Sequence, residues 1–440
     1  MHFYRWRRVA MIAGGLLGLL FLLVLIVRFL PPRNPNPNDS EVFRSSPGVQ
    51  EIENFFKNYW QRPIPLQGAP PPSLSEKEAS LRPEACGGCH PRQYADWEES
   101  LHSKAMGPGP WGQIIDLAQN SPEEAALCMT CHAPLSEQSP LLAKATNRDE
   151  TTYKKNPHFD SELQLRGITC AACHVRRHQR FGPPKAEGAS AATYPAGMAG
   201  HGGVQRTPFF EQAEFCKGCH QFDPENSPLL NGKPLQDTYR EWKNSIWGKG
   251  EASCQECHMP QRRHLWRGIH DAEWVKGGLR IETQLHRDSP QPGKTIELET
   301  EVANAAVGHK FPTYMTPKVF VRAALLDDRG GTLPGTEREK IIGWDARFEG
   351  GEWKEYFDTR IAPGESFRET FRWTRPPQAK RIRAWIEVHP DHFYHVHFYP
   401  AFLKSQRLTS QGRKLIEKAL QESGRSPYIL FERTLPLPER

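Results

Sequence analysis

The first pattern along the chain is an unbroken apolar run, Val9 to Val27, 19 residues without a charge. As a helix it would rise about 28 Å, close to the hydrocarbon thickness of a bilayer. Arg5, Arg7 and Arg8 precede it. Leu25 to Pro32 carries no small-residue cleavage pattern. The run therefore reads as an uncleaved single-pass anchor, residues 1–30, with the remaining chain in the periplasm or otherwise outside the cytoplasmic membrane. Residues 31–80 open on Pro31-Pro32-Arg33-Asn34-Pro35-Asn36-Pro37-Asn38, a stiff polar linker. Within that segment Ile52, Phe55, Phe56 and Trp60 recur at helical spacing, which predicts a short amphipathic helix.

From residue 81 to 275 the elements are short. Ser121-Pro122-Glu123-Glu124 combines an N-cap, a first-turn proline and two first-turn acids, the start of a helix. Gln93–Ala105 and Asp237–Trp247 also read as helices. Gly107-Pro108-Gly109-Pro110 and 194–203 read as loops. After residue 279 the period changes to two. Leu279–His286, Thr295–Asn304, Val319–Asp327 and Arg381–His389 alternate apolar and polar positions, separated by turn signals such as Asp328-Arg329-Gly330-Gly331. This predicts a β-sandwich-like domain over 279–405. Ser410–Ser423 reads as a helix within a C-terminal stretch, 406–440, that ends in an extended tail. The fold class is thus mixed: an N-terminal transmembrane helix, a mainly α and irregular middle, and a C-terminal β-sandwich-like domain.

Composition sharpens the middle segment. The hydrophobic share is only 38% in 440 residues, low for a chain this long. The net charge of +6 is not gathered into a basic stripe, so nothing points to nucleic acid. The 10 cysteines are decisive. They fall into five Cys-x-x-Cys pairs: Cys86/Cys89, Cys128/Cys131, Cys170/Cys173, Cys216/Cys219 and Cys254/Cys257. Each pair is followed at once by histidine: His90, His132, His174, His220 and His258.

Cys-x-x-Cys-His is the attachment motif of c-type haem. Two thiols one helical turn apart reach the two vinyl groups of a porphyrin, and the adjoining imidazole becomes the proximal iron ligand. Structural zinc needs four ligands from paired motifs, and five motifs with a histidine each do not divide that way. A thioredoxin-like redox pair needs one motif and no histidine after it. Five covalently bound haem c groups are therefore expected. Their porphyrins would supply the apolar core that the composition lacks, and their propionates would offset the positive charge.

Thirteen histidines lie outside the motifs and are candidates for the second axial position. His102 follows His90 by 12 residues on an expected helix. His201 sits among glycines that permit close approach to a flat ring. His264 and His270 follow the fifth motif; at least one is expected to be a ligand, with His270 favoured. His178, too near His174 to cap the same iron, could serve another. His309 lies on an expected sandwich loop that could reach the haem region. His389, His392, His395 and His397 cluster within nine residues, with His395 and His397 expected on one strand face.

Cys86-x-x-Cys89-His90 followed by Tyr94, Trp97, Ser100 and His102 resembles the opening of the cytochrome c-554-type multihaem family. Phe215 to Pro260 is similar to related exported multihaem cytochromes, through Cys216-Lys217-Gly218-Cys219-His220-Gln221-Phe222, Gln236-Asp237-Thr238-Tyr239 and Cys254-Gln255-Glu256-Cys257-His258-Met259-Pro260. The resemblance covers roughly residues 80–275. It implies electron transport, His102 as a distal ligand, and haems packed in stacked and perpendicular pairs. A fifth motif, the apolar run and the β-region depart from the tetrahaem carriers of that family.

The expected function is a membrane-anchored, extracytoplasmic electron relay, non-catalytic, fed by a redox protein or quinol-oxidising donor and drained by a downstream acceptor. Two alternatives stand: an oxidoreductase acting on a small nitrogen or sulfur species at a five-coordinate haem, and a quinol dehydrogenase. The Cys-x-x-Cys-Lys motif of pentahaem nitrite reductases is absent from the sequence.

Overall fold

The computed structural model describes residues 49–147, 150–185, 203–223, 229–287, 293–404 and 408–437. The expected anchor, Val9–Val27, lies outside the described residues, as does His201. Among the described residues no helix is long and apolar enough to cross a membrane. The expectation of a transmembrane helix and a single-pass membrane location is corrected accordingly. The helices that are described run to 14 residues at most, about 21 Å, too short for the hydrocarbon core.

The middle of the chain is a set of short helices that carry the cysteine motifs. Helix α1, Val49–Tyr59, presents the aromatic face expected from its spacing. Phe55 stacks on Phe209 with centroids 4.3 Å apart, and Phe56 meets Phe215 edge-on at 6.0 Å. The Tyr59 hydroxyl donates to the Cys173 carbonyl at 2.7 Å, which ties α1 to the third motif. Next come α2 (Pro83–Gly87), α3 (Pro91–Glu99), α4 (Pro108–Asn120) and α5 (Pro122–His132). The Gly-Pro-Gly-Pro stretch starts α4 instead of looping. Pro108 stands at its first position, where a helix needs no N–H. Conversely α3 stops at Glu99, because Ser100 turns to extended backbone (ψ 162°) with its hydroxyl on the Trp97 carbonyl at 2.7 Å. His102 therefore sits on the turn after α3, not on the helix expected there.

The remaining motif helices are α6 (Cys170–His174), α7 (Glu214–His220) and α9 (Cys254–His258), with α8 (Thr238–Asn244) between the last two. Helix α10, Ser410–Ser423, packs along α4: Gly412 lies so close to Asp116 that an added Cβ would meet its carboxylate at 2.1 Å.

Among the described residues the β-region has eight strands: β1 (Leu279–Arg287), β2 (Thr295–Asn304), β3 (Lys318–Leu326), β4 (Arg338–Glu349), β5 (Glu352–Asp358), β6 (Ser366–Thr374), β7 (Arg381–His389) and β8 (Tyr428–Pro436). They form a five-stranded sheet in the order β5-β4-β3-β7-β8 and a three-stranded sheet β6-β2-β1, with every pairing antiparallel. Ile296, Leu298 and Val302 of one sheet share a core with Val319, Val321, Leu325, Ile382, Ile386 and Val388 of the other. Period-two burial on β2 and β7 is what the alternating pattern predicts. The chain's tail is not merely extended: β8 pairs along β7 from Val388↔Tyr428 to Arg381↔Pro436. His395 and His397 stand on a wide helical turn, Phe393–Phe398, and not on a strand. Pro390, which cannot donate to a ladder, follows the last residue of β7.

Candidate haem-binding centre

Each motif closes one helical turn. In the first, the His90 amide donates to the Cys86 carbonyl at 2.9 Å, which sets both thiols and the imidazole on adjacent parts of one turn. The fifth turn is fixed by a capping box: Ser253 accepts from the Glu256 amide, and Glu256 accepts from the Ser253 amide at 2.6 Å.

Three of the motif imidazoles are oriented by main chain, while His220 Nδ1 lies 3.4 Å from Gln236 Nε2. His132 Nδ1 donates to the Ala105 carbonyl at 2.7 Å, His174 Nδ1 to Phe181 at 2.8 Å, and His258 Nδ1 to Arg267 at 2.8 Å. A carbonyl partner places the ring proton on Nδ1 and leaves Nε2 as a bare lone pair, the form a metal needs. His264 and His309 share this arrangement, with His264 Nδ1 on the Arg262 carbonyl at 3.1 Å and His309 Nδ1 on the Lys310 carbonyl at 2.9 Å.

Three motif imidazoles each face one of the non-motif candidates. His174 and His264 have centroids 6.1 Å apart, His220 and His102 6.3 Å, and His258 and His309 6.3 Å with planes only 7° from parallel. Two imidazoles bound trans to one metal, each through a nitrogen about 2 Å from it, have ring centres about 6 Å apart. Burial holds these rings neutral. It lowers the pKa of His102 to about 3 and those of His174, His220 and His309 to about 4, and it depresses His258 and His264 as well.

The other candidates are placed differently. His178 has left-handed backbone (φ 59°), its Nε2 on the Gly68 carbonyl at 3.0 Å and its Nδ1 buried without a partner. His270 turns Nε2 to Asp391, 3.1 Å away. His90 stands within electrostatic reach of His174 and His264. The sequence pointed to His270 over His264. His264 is held opposite His174 by Asp96, 5% exposed on α3, which accepts from the His264 amide at 3.0 Å and from Arg263 Nε at 2.7 Å. A pairing across 167 positions leaves no local signal.

The thiols of different motifs also meet. Cys86 lies beside Cys170, Cys131 beside Cys219, and Cys216 beside Cys254. The neighbouring Cys219 thiol lowers the pKa of Cys131, and those of Cys170 and Cys219 are raised by their own neighbours. The first motif thus adjoins the third, and the fourth adjoins both the second and the fifth. Beside the fifth, Cys257, His258, Arg263, Arg267 and Trp274 line a cleft of about 220 Å³. Its two guanidinium groups already have acidic partners, Arg263 on Asp96 and Arg267 on Asp271 at 3.4 Å. Paired thiols and buried, neutral imidazoles facing one another at 6.1–6.3 Å fit haem c chemically.

The comparisons agree. The family described as cytochrome c554 and c-prime matches residues 85–175. The chain is a multihaem c-type cytochrome, a class whose chemistry is electron transfer. A cytochrome c-552 from Aliarcobacter butzleri is 25% identical over 200 residues, 44% of this chain but only 37% of that relative. A solved penta-heme cytochrome c552 from Thermochromatium tepidum shares the fold. The TM-score is 0.56 at 18% identity, covering 82% of this chain and all of that one.

Proposed function

We propose that the chain holds five haem c groups and works as an electron relay between a donor and an acceptor. The donor is a redox protein or a quinol-oxidising enzyme. The thioethers form at Cys86/Cys89, Cys128/Cys131, Cys170/Cys173, Cys216/Cys219 and Cys254/Cys257, with His90, His132, His174, His220 and His258 as proximal ligands. Haem supplies a one-electron couple; the chain spaces the groups and sets their potentials.

The observation that carries this reading is the facing of His174 by His264, His220 by His102 and His258 by His309 at 6.1–6.3 Å. A metal with both axial positions filled by imidazole passes electrons without binding substrate. The pentahaem neighbour of the same fold supports the count of five. In this assignment His309, on the loop after β2, makes the β-region part of the electron path and not only a docking module.

Electron paramagnetic resonance of the oxidised protein tests the assignment. His264→Ala, His102→Ala and His309→Ala should each convert one low-spin iron to high spin. Unchanged low-spin counts in all three would refute it.

A further inference from the structure

We propose that Trp266 is a positioning residue shared by two irons, holding the distal imidazoles of the third and fourth haems in one edge-to-face aromatic cluster so that their potentials move together; this rests on the bis-histidine reading above. Its indole meets His102 edge-on with centroids 4.5 Å apart and planes at 61°, and meets His264 at 5.1 Å and 87°. His102 faces His220 of the fourth motif, and His264 faces His174 of the third. One side chain therefore touches the outer ligand of two separate centres.

The backbone is bent to put it there. Trp266 has φ 42°, and Gln261 and Arg262 of the same loop have φ 55° and 58°. A bulky residue in the left-handed region is held there by its surroundings. Those surroundings are visible. Arg262 donates to Glu211 at 3.0 Å and to the Pro184 carbonyl at 2.7 Å, Arg263 and the His264 amide bind Asp96, and the Arg267 carbonyl accepts from His258. The loop is fixed on both sides of the indole.

Edge-to-face packing fixes ring orientation. An axial imidazole can rotate about its metal–nitrogen bond unless something stops it. His264 has its Nδ1 bond to Arg262 as one restraint. Here the indole edge is a common restraint on both rings, so a rotation at one displaces the indole against the other. The same ring covers part of both imidazoles. Oxidised haem carries one more positive charge than reduced haem, and water stabilises the charged form. Removing the indole should therefore lower both potentials.

The test is redox titration with paramagnetic resonance on the full haem-loaded chain. His102→Met and His264→Met mark the fourth and third irons by the signal each displaces. Trp266→Ala should then move those two low-spin signals, lower both potentials and leave the fifth-motif iron in place. Trp266→Phe, which keeps an aromatic edge, should move the same two signals less. Trp274→Ala is the control: Trp274 touches His258 at 6.0 Å, so the fifth-motif iron alone should respond. Should Trp266→Ala fail to load haem, the Phe variant decides. Movement of neither signal, of one only, or of all irons alike would overturn the proposal. If the two Met variants move nothing, the ligand assignment fails instead.

Discussion

Replacing Glu241 by methionine removes the acid that fastens the His309 loop to the motif region. Glu241 lies on α8 with its side chain 7% exposed, and its partner Arg360 is 2% exposed. Burial raises the pKa of Glu241, while the Arg360 charge opposes this. The carboxylate accepts from Arg360 Nη1 at 3.1 Å, from the Lys310 amide at 3.2 Å and from the Thr313 hydroxyl at 3.2 Å. Breaking a buried pair from one side costs about 3–5 kcal/mol. Arg360 keeps Asp358, at 2.8 Å from Nε and 2.9 Å from Nη2, so the lower end, about 3 kcal/mol, is expected for Glu241→Met. Arg360→Met strips two acids at once and should cost about 4 kcal/mol. The double variant removes both partners, so neither is left unpaired by the loss of the other, and it should cost about 2 kcal/mol less than the sum. Denaturant unfolding of the four proteins reads these values. The low-spin signal of the fifth-motif iron, read beside them, should weaken in Glu241→Met as His309 loses its tether. A loss below about 1 kcal/mol with that signal intact, or strict additivity, would refute the reasoning.

Asp96→Ala should destabilise by only about 1 kcal/mol, because water replaces the partner of the half-exposed Arg263, but should perturb the third-motif iron by freeing the His264 amide; an unaltered spectrum would count against the loop assignment. Lys318 is buried with Nζ on the Met315 and Trp344 carbonyls at 2.8 and 2.9 Å, and burial lowers its pKa to about 8 from 10.5. Between those two values the unfolded chain holds the extra proton, so stability should rise with pH through that window. The gain is up to about 3 kcal/mol, and Lys318→Met should abolish the slope. Identical urea midpoints against pH in both proteins would contradict this. Leu298→Ala, in the sandwich core, should cost about 2–5 kcal/mol while leaving every haem signal in place; changed haem spectra would show that the β-core and the haem region are not separable in this way.

The covalent chemistry was legible because it is local: thioether attachment dictates three positions within five residues. The strands were legible for a related reason, since a sheet with one buried face imposes period two on β2 and β7. The facing imidazole pairs were only half legible. His102, His264 and His309 stood among the candidates, but partner choice depends on contacts such as Asp96 to Arg263, set by tertiary packing. Trp266 carried no signal, because its role comes from left-handed backbone that no residue type announces outside glycine and asparagine. Gly107-Pro108-Gly109-Pro110 misled because proline and glycine mark helix starts as readily as loops. The tail looked merely extended because β8 finds its partner about 45 residues upstream, across α10.

The most direct test of the account is the intact mass of the purified protein under denaturing conditions, followed by mapping of the motif peptides. The account predicts five covalent haem additions, one on each of the Cys86, Cys128, Cys170, Cys216 and Cys254 peptides, with no thiol left to alkylate. An unmodified mass, reactive thiols at any motif, or zinc bound in place of haem would contradict it.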